Sequence, residues 1–539
     1  MRGERPIVVG LDSSTTASKA IAWTLDGAVA GQGRSAIPLL SPAHNHYEQN
    51  AEDWWRSACE ALRQLCSQVN ADDVAAVAIS NQRETFVPLA ADGEPVRPAI
   101  VWLDQRCEEE VEWLTARVGA KRMHRITGKP PDLAPVAYRI AWMLRHEKER
   151  FCRTAMFADV HAYLAWRLTG QFRTSWASAD PLGLFDMKGR EWSPDVLKAL
   201  DLEPVQLPEA VRPGTIIGVV SEAAAKATGL NSNTLVVAGG GDGQAAGLGV
   251  NALGGGRAYL NLGTALVGGI YSQKYRIGNA WRTMRSCTGE GYYFETSLRA
   301  GTFLIDWFTR NVCQATGDCT ELLRELESEA AAIPTGSDGL LALPYWGAVM
   351  TPYWDAKARG CWVGLSGSHR RGHLYRSLLE GIALEQALVT GMIEEETGAT
   401  VKEFVAIGGG ATSDLWRRIM ADATGKCIKR SGTLEASSLG AGICAAVGAG
   451  LFRNFEEAAK AMSGKDFQET EPCSENCSRY TELMGAYREL YGSLRKTFAK
   501  LGQFQGGEAK ERTEKPTDAP TRTPRVRRRR SQHRTHKIE

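Results

Sequence analysis

Apolar positions at 7–11, in PIVVGLDSS, form a short continuous run of the kind that a strand buried on both faces requires. The polar stretch DSSTTASK (12–19) follows, then a second apolar run over 19–25 and Asp26-Gly27, a dipeptide that favours a tight hairpin turn. Strand, polar turn, strand, turn and strand are therefore predicted over 6–33. The same device recurs at 258–271, AYLNLGTALVGGIY, where two apolar runs flank Gly263-Thr264. One such unit in each half predicts duplicated domains. Helices are predicted at 51–69 and 373–398. Near the end, Tyr480, Leu483, Met484, Tyr487, Leu490, Tyr491, Leu494 and Phe498 recur at three- and four-residue steps, one face of an amphipathic helix. Residues 506–539 lack any apolar period and read as a disordered basic tail.

Length and charge narrow the class. A chain of 539 residues exceeds what one core usually fills, so two domains are expected, at 1–250 and 251–505. Hydrophobic residues make up 43% and charged residues 23%, with a net charge of +2, which gives the body no electrostatic reason to seek nucleic acid or membrane. The tail carries 11 Lys and Arg against 5 Asp and Glu, so the body is mildly acidic. Contacts of Arg527 to Arg530 with nucleic acid would be weak and sensitive to salt. No apolar stretch approaches the roughly 18 to 20 residues that span a bilayer, and the apolar run at the start stops at Asp12, too short for a signal peptide. Twelve scattered cysteines without a CxxC pair read as reduced thiols of a cytoplasmic protein.

Four stretches carry candidate chemistry. In DSSTTASK, backbone amides and hydroxyls can converge on an anion, Asp12 can hold a divalent cation, and Lys19 can add positive charge. Arg83 and Glu84 follow the strand-like VAAVAIS and emerge where open α/β sheets place ligands, and Asp104 and Arg106 repeat that pairing after AIVW. A guanidinium beside a carboxylate suits a polyol, although a plain ion pair reads the same way. In AGGGDGQAAGLG (238–249), Asp242 stands alone on bare backbone after an apolar run. In AIGGGATSDLW, glycines precede a helix whose N-terminus could receive a phosphorylated ligand, but the spacing matches neither GxGxxG nor GxxxxGK[ST].

Taken in order, DSSTT, NQRET, VWLDQR, GGGDGQAAGLG, NLGT, the stretch from TPYWDAKARG to LLEGIA, and AIGGGATSDLWRRIMADATG resemble the FGGY carbohydrate kinases, the family of glycerol kinase and xylulokinase. The resemblance covers about residues 6 to 500. It implies an α/β fold of two ribonuclease-H-like domains of the actin, hexokinase and Hsp70 ATPase type, with an interdomain cleft. The first domain would hold a small sugar or polyol and the second ATP. Carried over by motif, Asp242 matches the catalytic base and Asp12 the residue near Mg²⁺. Thr15, Thr16 and Lys19 match the first phosphate hairpin, in which Ser14, also assigned to the nucleotide, stands where many members have Gly; Thr264 matches the second, and Gly301, Gly409 and Gly410 the nucleotide side. Arg83 and Glu84 match the pair that glycerol kinases use on glycerol hydroxyls, with Asp104 nearby. Ala134 stands where glycerol kinases carry a tyrosine, while the second half reads closer to xylulokinases. The implied activity is phosphoryl transfer to a terminal hydroxyl of a small ketose or polyol. A non-catalytic nucleotide-binding sugar sensor is the alternative, and homodimer and homotetramer both stay open.

Overall fold

The computed structural model describes residues 6–464 and 467–504. In the first half, β1 (Ile7–Ser13), β2 (Ala17–Trp23), β3 (Val29–Ala36), β4 (Val74–Asn81), β5 (Ile216–Val219) and β6 (Leu235–Gly241) form one sheet in the order β5-β6-β4-β1-β2-β3. β1 runs antiparallel to β2 and parallel to β4, and β6 joins β4 in parallel. The inner strands β1, β2, β4 and β6 are buried almost throughout because helices cover both faces, whereas the edge strands β3 and β5 are partly exposed. Val9, Leu11, Val77, Ile79 and Val236 pack with Trp54 and Leu62 of helix α1 (Ala51–Cys66) and Leu164 of α2 (Val160–Thr169). The alternate residues Val8, Ile21, Ala76, Ala78 and Val237 belong to a second core on the opposite face. Helix α3 (Asp242–Gly249) begins directly where β6 ends.

The second half repeats this plan. Strands β7 (Arg257–Leu262), β8 (Leu266–Ser272), β9 (Arg282–Arg285), β10 (Tyr292–Leu298), β11 (Glu403–Ile407), β12 (Cys427–Arg430) and β13 (Gln468–Thr470) lie in the order β9-β10-β8-β7-β11-β12-β13. Setting β7 on β1 and β11 on β4 superposes three antiparallel strands followed by two parallel ones and an antiparallel edge. The two hydroxyl-bearing hairpins are equivalent parts of two copies of one unit. Helix α4 (Arg371–Thr397) ends on Gly398 in the left-handed region, φ 72°, as a glycine cap allows.

Two helices of the second half cross over to serve the first. In α5 (Ala436–Gly448) and α6 (Phe455–Met462), Leu439, Ile443, Cys444, Ala458 and Met462 share one core with Val8, Ile21, Ala76 and Val237. Small residues make the approach possible: a Cβ on Gly440 would lie 2.6 Å from the carbonyl carbon of Ala245 in α3, so only glycine fits. Ser438 Oγ donates to the Gly10 carbonyl at 2.9 Å and accepts from the Trp23 indole at 3.2 Å. The boundary expected at 250 separates two sheets but not two self-contained cores. The last helix, α7 (Ser474–Leu501), buries Tyr480, Tyr487, Tyr491 and Phe498 in the second-half core, the stripe that the sequence pattern predicts. The expected tail at 506–539 lies outside the described residues. Among the described residues no helix is long and apolar enough to cross a membrane, and all twelve cysteines are free.

Candidate active site

Strands β1, β4 and β6 end together, with Ser13 and Gly241 both beside Asn81, and this edge carries the predicted carboxylates. Asp242 opens α3, where the chain leaves the sheet. Its side chain is 41% exposed, whereas that of Arg83, whose Nε lies 2.9 Å from Asp242 Oδ1, is only 8% exposed. Gly241 permits that packing, since a Cβ there would sit 2.6 Å from Arg83 Cγ and Cδ. Ser437 Oγ of α5 donates to the Asp242 carbonyl at 3.0 Å, and the Gly243 amide to Asp242 Oδ1 at 2.7 Å. Burial raises the affinity of Asp242 for a proton; Arg83 opposes this, and the balance stays above the usual carboxylate value.

Asp12 stands at the end of β1, paired across the hairpin with Lys19 and beside Ser80 of β4, whose hydroxyl donates to Asp12 Oδ1 at 2.7 Å. Burial pushes its carboxyl up to about 7; the Ser80 hydrogen bond and Lys19 pull it down, while Asp242 and Glu435 push it further up. Lys19 Nζ donates to Glu435 Oε1 at 2.7 Å, an ion pair that joins the two halves. A carboxylate that neighbouring acids keep from ionising suits a divalent cation, and Asp12, raised by Asp242 and Glu435, fits that requirement.

The predicted nucleotide residues lie at hairpin tips and sheet ends. Ser14 Oγ closes the first turn on the Ala17 carbonyl at 2.8 Å, Thr15 Oγ1 accepts from the Trp102 indole at 2.8 Å, and Thr16 is exposed. Thr264 is exposed at the tip of the β7–β8 hairpin. The Thr302 amide donates to the Gly263 carbonyl at 2.8 Å, which draws Gly301 against that tip. Asn261 of β7 pairs in register with Ile407 of β11, so Gly409 and Gly410, in the short turn Gly409–Thr412, emerge at the same end as Thr264. Gly409 faces open space.

The acceptor side differs from the expectation in its details. Arg83 and Glu84 are buried, and Glu84 holds the left-handed region at φ 49°. Arg83 Nη1 donates to Glu295 Oε2 at 2.7 Å and to Gln244 Oε1 at 3.3 Å. Arg282 donates from Nη1 to Glu84 Oε1 and from Nε to Glu295 Oε1, both at 2.7 Å. Tyr259 donates its hydroxyl to Glu295 Oε2 at 2.8 Å. Burial alone would raise the Glu295 carboxyl, but Arg83 and Arg282 outweigh it and hold it down at about 2. Lys129 and Asp180, both enclosed, pair at 3.2 Å close by.

Asp104, expected on the acceptor, is enclosed instead in a separate network. Its Oδ2 accepts from the Tyr47 amide at 2.6 Å and from Arg106 Nη2 at 2.7 Å, and its Oδ1 from Arg106 Nε at 2.8 Å. Arg106 continues to Glu48, which Arg97 also holds. With both oxygens taken and no exposed surface, Asp104 has no acceptor left to offer a ligand. Sequence reading missed Arg282, Glu295, Lys129, Asp180 and Glu435. The signal was available for two: Glu295 is the one charge in the aromatic strand YYFETSL, and Arg282 sits in the buried strand RTMR, where an ion must find a partner.

Comparison with known proteins settles the family. The N-terminal domain model of the FGGY family of carbohydrate kinases matches residues 7–249, and the C-terminal domain model matches 258–449. The chain belongs to the FGGY family of carbohydrate kinases. It is 29% identical over 505 residues to the xylulose kinase of Bacillus subtilis (strain 168), covering 92% of this chain and 99% of that protein. It is also 29% identical over 466 residues to the glycerol kinase of Saccharolobus islandicus, covering 84% and 89%. The crystal structure of gluconate kinase from Lactobacillus acidophilus matches with a TM-score of 0.87 at 24% identity, covering 92% of this chain and all of that one, a likeness of fold. The fold is thus the two-domain FGGY kinase fold, with the mixed α/β sheets of the actin and hexokinase type. The protein is a sugar kinase, an ATP-dependent phosphotransferase.

Proposed function

We propose that this FGGY kinase transfers the γ-phosphoryl group of ATP to a terminal hydroxyl of a small ketose or polyol, with Asp242 as the base. In this reading residues 1–250 supply most of the acceptor site and 251–505 the nucleotide site. The half-open Asp242 carboxylate, gripped by Arg83 at 2.9 Å at the strand edge that also carries Asp12, supports it most directly.

An alcohol's pKa near ~15.7 lies roughly 12 units above an ordinary aspartate, so removing the proton in advance would cost about 16 kcal/mol. Asp242 therefore does not make a free alkoxide. It orients the hydroxyl and takes its proton as the phosphoryl group passes across, the role suited to a loose transition state dominated by positioning. Its raised proton affinity favours that acceptance. Arg83 fixes the carboxylate, and its Nη2, which no described side chain takes, remains for acceptor hydroxyls, as does Glu84 Oε2. Ser14, Thr15, Thr16, Lys19 and Thr264 serve the phosphates, and Gly301, Gly409 and Gly410 leave backbone bare on the nucleotide side. Asp12 would hold Mg²⁺, which when bound supplies neutralising charge to the transferring group.

Asp242→Asn tests the assignment in a coupled ADP-release assay over glycerol, erythritol, ribulose and xylulose. Turnover falls about 10²-fold or more, the usual contribution of a general base, while folding and nucleotide binding persist. Near-normal turnover would remove Asp242 from the role. Absence of acceptor-dependent ADP release from the parent protein would favour the sugar sensor.

A further inference from the structure

Strand β6 carries one more residue than β4 where the two run side by side. Val237 pairs with Ala78 and Gly240 with Ser80, so Ala238 and Gly239 together face the single residue Ile79. Such a bulge shifts the register by one, so that every later side chain changes face, and bulges are common beside active sites for that reason. The backbone groups it frees find partners outside the ladder. Ala238 turns towards the loop before β5: its amide donates to the Thr215 carbonyl at 2.9 Å and its carbonyl accepts from the Gly214 amide at 2.8 Å. The Gly239 amide donates to a side chain, at 3.1 Å to Nε2 of His161. Gly239 admits no side chain of its own, since a Cβ would lie 2.0 Å from the Ile79 carbonyl oxygen. Past the bulge the ladder resumes at Gly240 and Gly241, and Asp242 follows at once, 2.9 Å from Arg83 Nε.

His161 is the second residue of α2 and is fully buried. Asp159 Oδ1 accepts from the Ala162 amide at 3.0 Å, which fixes the first turn of α2 and with it the place of the imidazole. An amide can only donate, so Nε2 accepts and the ring proton sits on Nδ1. Burial pushes His161 down to about 4, which keeps the ring neutral. We infer that His161 is a positioning residue of the phosphoryl-transfer step: by accepting the Gly239 amide it holds the bulge that aims Asp242 at the acceptor hydroxyl. The inference rests on the reading of Asp242 as the base and adds to it the group that sets its aim. Without that acceptor the buried amide is left unpaired, and β6 relaxes towards a regular ladder in which Asp242 turns away from Arg83.

The test measures ADP release with xylulose, ribulose, erythritol and glycerol in the parent protein, His161→Leu, His161→Asn, His161→Gln, Asp242→Asn and the double variant His161→Leu with Asp242→Asn. Gln carries an amide oxygen about as far from the backbone as Nε2 and accepts from Gly239, whereas Asn is too short and Leu cannot accept. On the best acceptor, His161→Leu and His161→Asn lower kcat about tenfold or more, within what a displacement of about 1 Å can cause, while KM for ATP stays within about twofold and His161→Gln keeps kcat within about threefold of the parent. In the Asp242→Asn background His161→Leu costs nothing further, because the group it aims is gone. A merely structural histidine would lower Tm and leave the kcat of the folded protein unchanged, or would cost the same factor with and without the Asp242 carboxylate; either result overturns the inference. If His161→Leu fails to fold, His161→Asn and His161→Gln carry the same contrast, and a Gln variant no more active than the Asn variant overturns it too. Near-normal turnover in Asp242→Asn overturns the base reading and the inference with it. A crippled Asp242→Asn beside a fully active His161→Leu overturns the inference alone.

Discussion

Gly440→Ala adds one methyl group at a close approach between the two halves. The new Cβ would lie 2.6 Å from the carbonyl carbon and 3.0 Å from the Cα of Ala245, both backbone atoms with no flexible end to yield. Carbon atoms pack at about 3.5 Å or more, so α5 must retreat from α3 by about 1 Å. Ser438 resists that movement through its bonds to the Gly10 carbonyl and the Trp23 indole. Overpacking of this kind costs about 1 to 3 kcal/mol, which in a chain of this size lowers Tm by about 1 to 3 °C. The chemistry suffers further, because the Ser437 hydrogen bond to the Asp242 carbonyl is lost as α5 withdraws. Displacing a reacting group by about 1 Å can cost 10²-fold in rate, so turnover falls much more than stability. Gly391→Ala is the contrast: this glycine is inside α4 with nothing within 4 Å, and its replacement adds about 0.5 to 1 kcal/mol of stability without touching turnover. Calorimetry and ADP release on both variants check the reasoning. Gly440→Ala with an unchanged Tm and full turnover would refute it.

Two further outcomes are expected. Burial pushes the Glu385 carboxyl up to about 7, although Tyr487 and Tyr345 donate hydroxyls to its Oε2 at 2.6 and 2.8 Å. The folded protein thus holds this proton more tightly than the unfolded chain, and stability falls as pH rises from about 4.5 to about 7 by up to about 3 kcal/mol. Glu385→Gln lessens that slope in denaturant titrations run at each pH, while Asp12, whose carboxyl is also raised to about 7, keeps its own share; an unchanged slope would assign all of it to other groups. Lys19 and Glu435 each keep about a third of their side-chain surface exposed, 34% and 33%, so breaking their ion pair costs less than about 1 kcal/mol. Lys19→Met nevertheless raises the KM for ATP, while Glu435→Gln raises it less; equal effects would mean that Lys19 acts through Glu435 alone.

The strands and long helices were legible because burial imposes a period on the residues that form them. Ile7 to Leu11, the hairpin at Asp26-Gly27 and the stripe from Tyr480 to Phe498 each declare an element locally, and each is found within a few residues of its expected place. Asp12, Arg83 and Asp242 stood out for a different reason: they are polar residues at the ends of apolar strands, and the structure brings them to one sheet edge. Glu295 and Arg282 were not picked out, since their meaning lies in partners more than 190 positions away, Arg83 and Glu84. Asp104 shows the converse. The pattern Asp-x-Arg looks like a ligand site, yet the arginine two residues on folds back and takes both carboxylate oxygens. Nor does any local period reveal that α5 and α6 cover the first sheet instead of the second.

That crossing of α5 and α6 has a consequence for how the molecule comes apart. Cut after residue 250, the first sheet would present Val8, Ile21, Ala76, Ala78 and Val237 to water, an uncovered apolar surface prone to self-association. Neither half is then an independent folding unit, and heat or denaturant should dismantle both in one cooperative event. During synthesis, the sheet begun by the first forty residues stays unfinished until residues beyond 460 have left the ribosome.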